Sequence, residues 1–138
     1  MKRKILFDHR GIETIEAAIT FPIAILFMLA TVNLGLVVFG QQTVQSAARY
    51  GARMGSVAQQ CPACWAVTNA ESAIKEAPMV QDPQVTILAP GGSAGSILEV
   101  RVSGQIPNFF GGLAAIFPGL YSTPFNVSAQ ATFRQEGW

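Results

Sequence analysis

Apolar and polar positions change period several times along this chain, and each change marks an element. The stretch from Ala17 to Phe39, "AAITFPIAILFMLATVNLGLVVF", is almost wholly apolar, and its only polar members are Thr20, Thr31 and Asn33. A bilayer core of about 30 Å needs about 20 apolar residues of helix, so this stretch is long enough to span it. Side chains of its three polar residues can bond back to the helix or across to a neighbour. Pro22 is expected near the helix start, where a missing backbone donor costs least.

Beyond Phe39 the pattern becomes amphipathic without a break. "GQQTVQSAARYGARMGSV" (Gly40 to Val57) contains no proline, and Ala47, Gly51 and Gly55 recur at four-residue spacing, as do Ala48 and Ala52. Small residues one turn apart let another element approach closely. Each glycine costs about 1 kcal/mol of helix propensity relative to alanine, so close packing is expected to offset them. A continuous helix from Ile12 to Val57 would be roughly 70 Å long, twice the membrane thickness. The pattern therefore predicts a helix that starts in a bilayer and continues into a soluble head.

The remaining residues supply that head. Cys61 to Cys64 reads as a turn. Trp65 to Ala77 reads as a second, amphipathic helix with Trp65, Ala66, Val67, Ala70, Ala73 and Ile74 as its apolar positions, ended by Pro78. Pro83–Pro90, Ser96–Ile106 and Asn126–Gln135 alternate apolar and polar residues, the signature of half-buried strands, with "GGSAG" as a turn between the first two. The predicted fold is α+β: a long N-terminal transmembrane helix, a second helix and a three-stranded antiparallel sheet packed on the long helix. Neither layer can bury its apolar face alone. The uncharged, aromatic stretch from Ile106 to Phe125 is interrupted by Pro107, Pro118, Pro124 and Gly111–Gly112, which leaves no second span. It is expected to be a long connection, over the sheet or against a partner, with Phe109, Phe110, Phe117, Tyr121 and Phe125 mainly in the core.

Charge sharpens this reading. Charged residues are 12% of the chain, against about 25% in ordinary soluble domains. None lies between Ala17 and Ala48. A net charge of +1 offers no basic surface for phosphates, so nucleic acid is not an expected partner. The basic cluster Lys2, Arg3, Lys4 and Arg10 precedes the span and predicts a cytoplasmic N-terminus with the head on the other side. No set of nucleophile and base, no phosphate loop and no paired acids signals catalysis, and no cofactor is expected. Two carboxylates, Glu13 and Glu16, stand at the mouth of the span. A negative charge there suits a helix N-terminus by about 0.3–1 kcal/mol, whereas deeper in the bilayer it would cost roughly 2.5–3.5 kcal/mol.

The segment "RGIETIEAAITFPIAILFMLATVNLGLVVFGQQTVQSAARYGARMG" resembles the N-terminus of TadE-like proteins, the minor pilins or pseudopilins of Tad (Flp, type IVb) pilus systems. The resemblance rests on a short basic leader ending at Gly11, a glutamate five residues on at Glu16, a proline opening the apolar helix at Pro22, and the exit "QQTVQSAARYGAR" (Gln41 to Arg53). "VSAQATFRQE" (Val127 to Glu136) is similar to the family's C-terminal strand. The middle of the chain carries no resemblance, and Ala17 stands where an aromatic residue is usual.

The resemblance implies cleavage after Gly11 by a membrane prepilin peptidase, so that the mature chain begins at Ile12. An ordinary secretory signal is instead cut after its apolar region, which is removed. It also implies that Glu16 meets the free amine of a neighbouring subunit's Ile12 in an assembled pilus. Glu13 gains no such role. The expected organisation is a leader over 1–11, the long helix over 12–57 and a periplasmic head over 58–138. Expected partners are the peptidase, other pilins or pseudopilins, the inner-membrane assembly platform and the lipid bilayer. An uncleaved single-pass anchor with a small binding head, and a pseudopilin of the type II secretion kind, are the competing readings.

Three features keep alternatives at this stage. Cys61-Pro-Ala-Cys64 has the spacing of thiol oxidoreductases but lacks their βαβ context. A zinc site needs two more ligands, with His9 a solvated leader residue across the membrane. In an oxidising compartment a local disulfide is the expected state, free thiols being the other. Arg49 and Arg53 either face anionic lipid heads or lie on a solvated face. The stripe Ala47, Gly51 and Gly55 packs on the chain's own sheet or on another subunit.

Overall fold

The structure, a computed structural model, describes residues 9–112 and 123–136. The elements in order are α1 (His9–Ser56), α2 (Pro62–Lys75), β1 (Gln81–Pro90), β2 (Ile97–Ile106), a short 3₁₀ turn (Phe109–Gly112) and β3 (Phe125–Arg134). The chain divides into two units, Met1–Val32 and Asn33–Trp138.

In the first unit, every described side chain from Glu13 to Met28 is exposed. These include Phe21, Ile23, Phe27 and Met28. An apolar helix with no core of its own requires an apolar surrounding. α1 is also long and apolar enough to cross a membrane by length and composition. The helix begins at His9, earlier than the expected Ile12. Pro22 is therefore inside it, not at its start. Its missing N–H leaves the Ala18 carbonyl without the usual helical donor, and Thr31 Oγ1 donates to the Phe27 carbonyl at 2.9 Å.

The second unit has a core. The sheet is three-stranded in the order β1-β2-β3. Both pairings are antiparallel, with Ile87 opposite Val100 and Val100 opposite Ala131. The central strand β2 alternates strictly: Leu98, Val100, Val102, Gly104 and Ile106 are buried, while the residues between them are not. Against this face lie Ala66, Ala70 and Ile74 of α2 and Val44, Ala47, Ala48 and Ala52 of α1. Ile74, Leu98, Ile106, Val44, Val100 and Val102 are the largest fully buried side chains, each worth about 1.5–3 kcal/mol of transfer free energy. The opposite face of the sheet is polar, with Arg101 donating to Gln130 Oε1 at 3.1 Å across the β2–β3 pair. Edge strand β1 carries Pro83 and Pro90 and two register irregularities, features that blunt an edge against further pairing.

The α+β architecture is the one that the periodicity predicted. Two details of α2 differ. It starts at Pro62, not Trp65, because proline fits the first helical position, where its absent donor is not needed. Trp65 is 54% exposed. The buried line is Ala66, Ala70 and Ile74, one turn apart, and Trp65 is rotated about 100° from its first member.

Candidate functional site

α1 is the element that carries the sequence-predicted positions, and its two parts differ in what surrounds them. Gly11 and Ile12 lie in its first turns. Glu13 and Glu16 follow, both exposed and three residues apart on one helical face. Residues 1–8, with the basic residues Lys2, Arg3 and Lys4, fall outside the described residues.

From Asn33 onward a narrow stripe of α1 is buried: Asn33, Gly40, Val44, Ala47, Ala48, Gly51, Ala52, Gly55 and Ser56. Its small members let the head sit directly on the helix backbone. A Cβ added at Gly51 would lie 2.6 Å from the Ala66 carbonyl oxygen and 2.6 Å from Ala70 Cβ. One added at Gly55 would lie 2.5 Å from Leu98 Cδ2 and 2.7 Å from the Pro62 carbonyl oxygen. At Gly40 it would run into the Ile106 side chain. Gly55 thus meets the start of β2 and Gly40 its end, so β2 runs back alongside α1. The stripe Ala47, Gly51 and Gly55 faces the chain's own α2 and β2, while Arg49 and Arg53 on the other side are exposed.

Polar contacts fix both ends of this packed stretch. At its lower end Asn33, only 4% exposed, accepts from the Phe109 amide at 3.1 Å and donates to Asn108 Oδ1 at 3.3 Å. Gln41 Nε2 donates to the Ser128 carbonyl at 2.8 Å. At the upper end the two residues after β3 satisfy carbonyls at and just beyond the helix C-terminus. The Glu136 amide donates to the Ser56 carbonyl at 3.1 Å, and Gln135 Nε2 donates to the Ala58 carbonyl at 3.0 Å.

Cys61 and Cys64 form a disulfide, Cα atoms 5.3 Å apart. Cys61 is the N-cap of α2 with a left-handed backbone (φ 45°) and makes no side-chain cap bond. Its carbonyl accepts from the Trp65 amide at 3.2 Å. The covalent link across the first turn replaces a capping hydrogen bond and holds a conformation that costs a non-glycine residue about 1–2 kcal/mol. Proline at the next position and the bond together explain why a segment read as a turn is the start of the helix.

Of the aromatic residues expected in the core of the 106–125 segment, Phe110 is half-buried. Phe109 and Phe125 are both exposed, and Phe117 and Tyr121 fall outside the described residues. Among the described residues no group of three or more His, Cys, Asp or Glu side chains is placed to hold a metal. A shallow groove on the polar face of the sheet is lined by Asp82, Gln84, Ser103, Gln105, Asn126 and Ser128.

No curated protein and no solved structure matches the chain. The family model described as TadE-like protein does match, over residues 11–53, so from Gly11 through most of the packed part of the long helix the chain is similar to TadE-like proteins of the Tad pilus system.

Proposed function

We propose that this chain is a structural, pilin-like subunit acting in Tad-type pilus biogenesis. The observation that carries the reading is the TadE-like match, which begins at Gly11 itself. The leader over 1–11 is cut after Gly11 by a prepilin peptidase, leaving Ile12 as the first residue of a mature chain with a helix over 12–57 and a head over 58–138. Lys2, Arg3, Lys4 and Arg10 hold the N-terminus in the cytoplasm, and the head lies in the periplasm, where the Cys61–Cys64 disulfide is stable. The apolar, core-less half of α1 supports lipid as its first surrounding and neighbouring subunits as its second, with the assembly platform passing it from one to the other.

Glu16 gives this transfer its chemistry. Cleavage creates a primary amine at Ile12, and the Glu16 carboxylate of a neighbour is the anion that neutralises it in an apolar setting. A charge unpaired there is costly, so a paired register is selected over others. Intact-mass analysis of the membrane-extracted chain, from cells with and without an active prepilin peptidase, tests the first step. The expected mass with the peptidase is that of a chain starting at Ile12. A mass that retains the leader under those conditions overturns the reading in favour of an uncleaved membrane anchor.

A further inference from the structure

Along the exposed side of α1 within the second unit, Leu34, Val38 and Phe39 are apolar and exposed. Gln41, Gln42, Gln45 and Ser46, also exposed, are polar. Given that α1 spans a bilayer, as the proposed function has it, this change puts the edge of the hydrocarbon between Phe39 and Gln41. Asn33 lies eight residues earlier, about 12 Å along the helix axis and so on the lipid side of that edge. Yet Asn33 is where the head is attached: its side chain holds the Phe109 amide and Asn108 Oδ1. The turn after β2 is therefore carried below the level at which the helix surface becomes polar.

Its composition and hydrogen bonding suit that depth. Residues Ile106 to Phe110, and Thr123 to Phe125 on the adjoining strand, carry no charge. Non-helical backbone at membrane depth persists only where its polar groups are satisfied by protein. Here the Phe109 amide is bonded to Asn33, the Phe110 amide to Asn108 Oδ1 at 3.0 Å and the Gly111 amide to the Asn108 carbonyl at 3.1 Å. Asn108 Nδ2 donates to the Thr123 carbonyl at 3.2 Å. Phe109 itself is 53% exposed, on the same end of the unit as Leu34. We propose that this turn is seated in the bilayer leaflet on the head's side, with Phe109 reaching the acyl chains and the Asn33–Asn108 pair holding the turn at that depth. The occupant is lipid, because the surface is continuous with the lipid-facing side of α1.

The full-length chain, reconstituted in vesicles of equal parts phosphatidylethanolamine and phosphatidylglycerol, tests this. Both native cysteines are bonded, so Phe109→Cys introduces a single thiol for an environment-sensitive fluorophore. Phe27→Cys serves as the reference in the span and Ser72→Cys as the reference in water. The expected result is blue-shifted emission at position 109, quenched severalfold more by a quencher on the upper acyl chain than at position 72. Emission at 109 that matches position 72, or that is blue-shifted yet insensitive to the lipid quencher because protein covers it, overturns the proposal while quenching at position 27 leaves the span intact. Loss of quenching at position 27 as well overturns the span itself and with it this inference.

Discussion

The two parts of α1 are made from one uninterrupted helix but are stabilised by different surroundings. From Ala17 to Met28 the side chains are mostly apolar, several of them large, and all are exposed. From Gly40 to Ser56 the buried side chains are mostly small and confined to one stripe, and the exposed ones, Tyr50 apart, are polar or charged. Within the second unit, glycines separate covered from uncovered positions of the helix. At Gly51 and Gly55 an added Cβ collides with α2 and β2, whereas at Gly35 it meets nothing within 4 Å. A small residue in a helix is thus not a mark of packing by itself. It becomes one when the partner backbone occupies the space that a side chain would fill.

Substitutions break this comparison in graded ways. The largest effect on head stability is expected for Gly51→Leu, which drives a side chain into the Ala66 carbonyl and Ala70. It should cost about 3 kcal/mol or more, read as a lowered midpoint of head unfolding by tryptophan fluorescence in detergent, with membrane partition unchanged. Next is the double change Cys61→Ser with Cys64→Ser. The closed loop is so short that the loss should be about 2 kcal/mol, at the low end for a disulfide. Fraying of the first turn of α2, followed by amide hydrogen exchange at Trp65, checks that the effect is local. Smallest is Gly35→Ala, which should leave the head unaffected or stabilise the helix by up to about 1 kcal/mol. A destabilisation at Gly35 as large as that at Gly51 would erase the distinction between uncovered and covered positions of the helix.

How far the sequence revealed this arrangement follows from the range of the interactions. The span, the second helix and all three strands were legible because each has its own hydrophobic period over ten or so residues. The buried stripe of Ala47, Gly51 and Gly55 was visible as a spacing, but the sequence alone left open what would cover it. Asn33 could be seen only as a polar interruption, since its partners Asn108 and Phe109 lie 75 and 76 residues away. Cys61 to Cys64 reads as a turn in the sequence, whereas proline at the first helical position and the adjacent disulfide start a helix there. Trp65 is apolar and so belongs to the amphipathic pattern of the second helix, but its angular position relative to Ala66 and Ala70 faces it outward. Phe109 and Phe125 were expected in the core on composition, and the fold exposes both. The expected cut after Gly11 and the role of Glu16 came from resemblance, because neither a peptidase site nor an intersubunit pair leaves a trace in periodicity.

The comparison also bears on assembly. If the head already covers the small-residue stripe, the surface left for other subunits is the exposed part of α1, where Glu13 and Glu16 stand side by side. Only Glu16 is proposed to meet the Ile12 amine of a neighbour. The most direct test is the amount of major pilin that co-purifies with the chain after Glu16→Ala and, separately, Glu13→Ala, in cells where cleavage is verified by mass. A marked loss of co-purification is expected for Glu16→Ala, with cleavage and membrane insertion intact, and little change for Glu13→Ala. An unchanged yield with Glu16→Ala would contradict it.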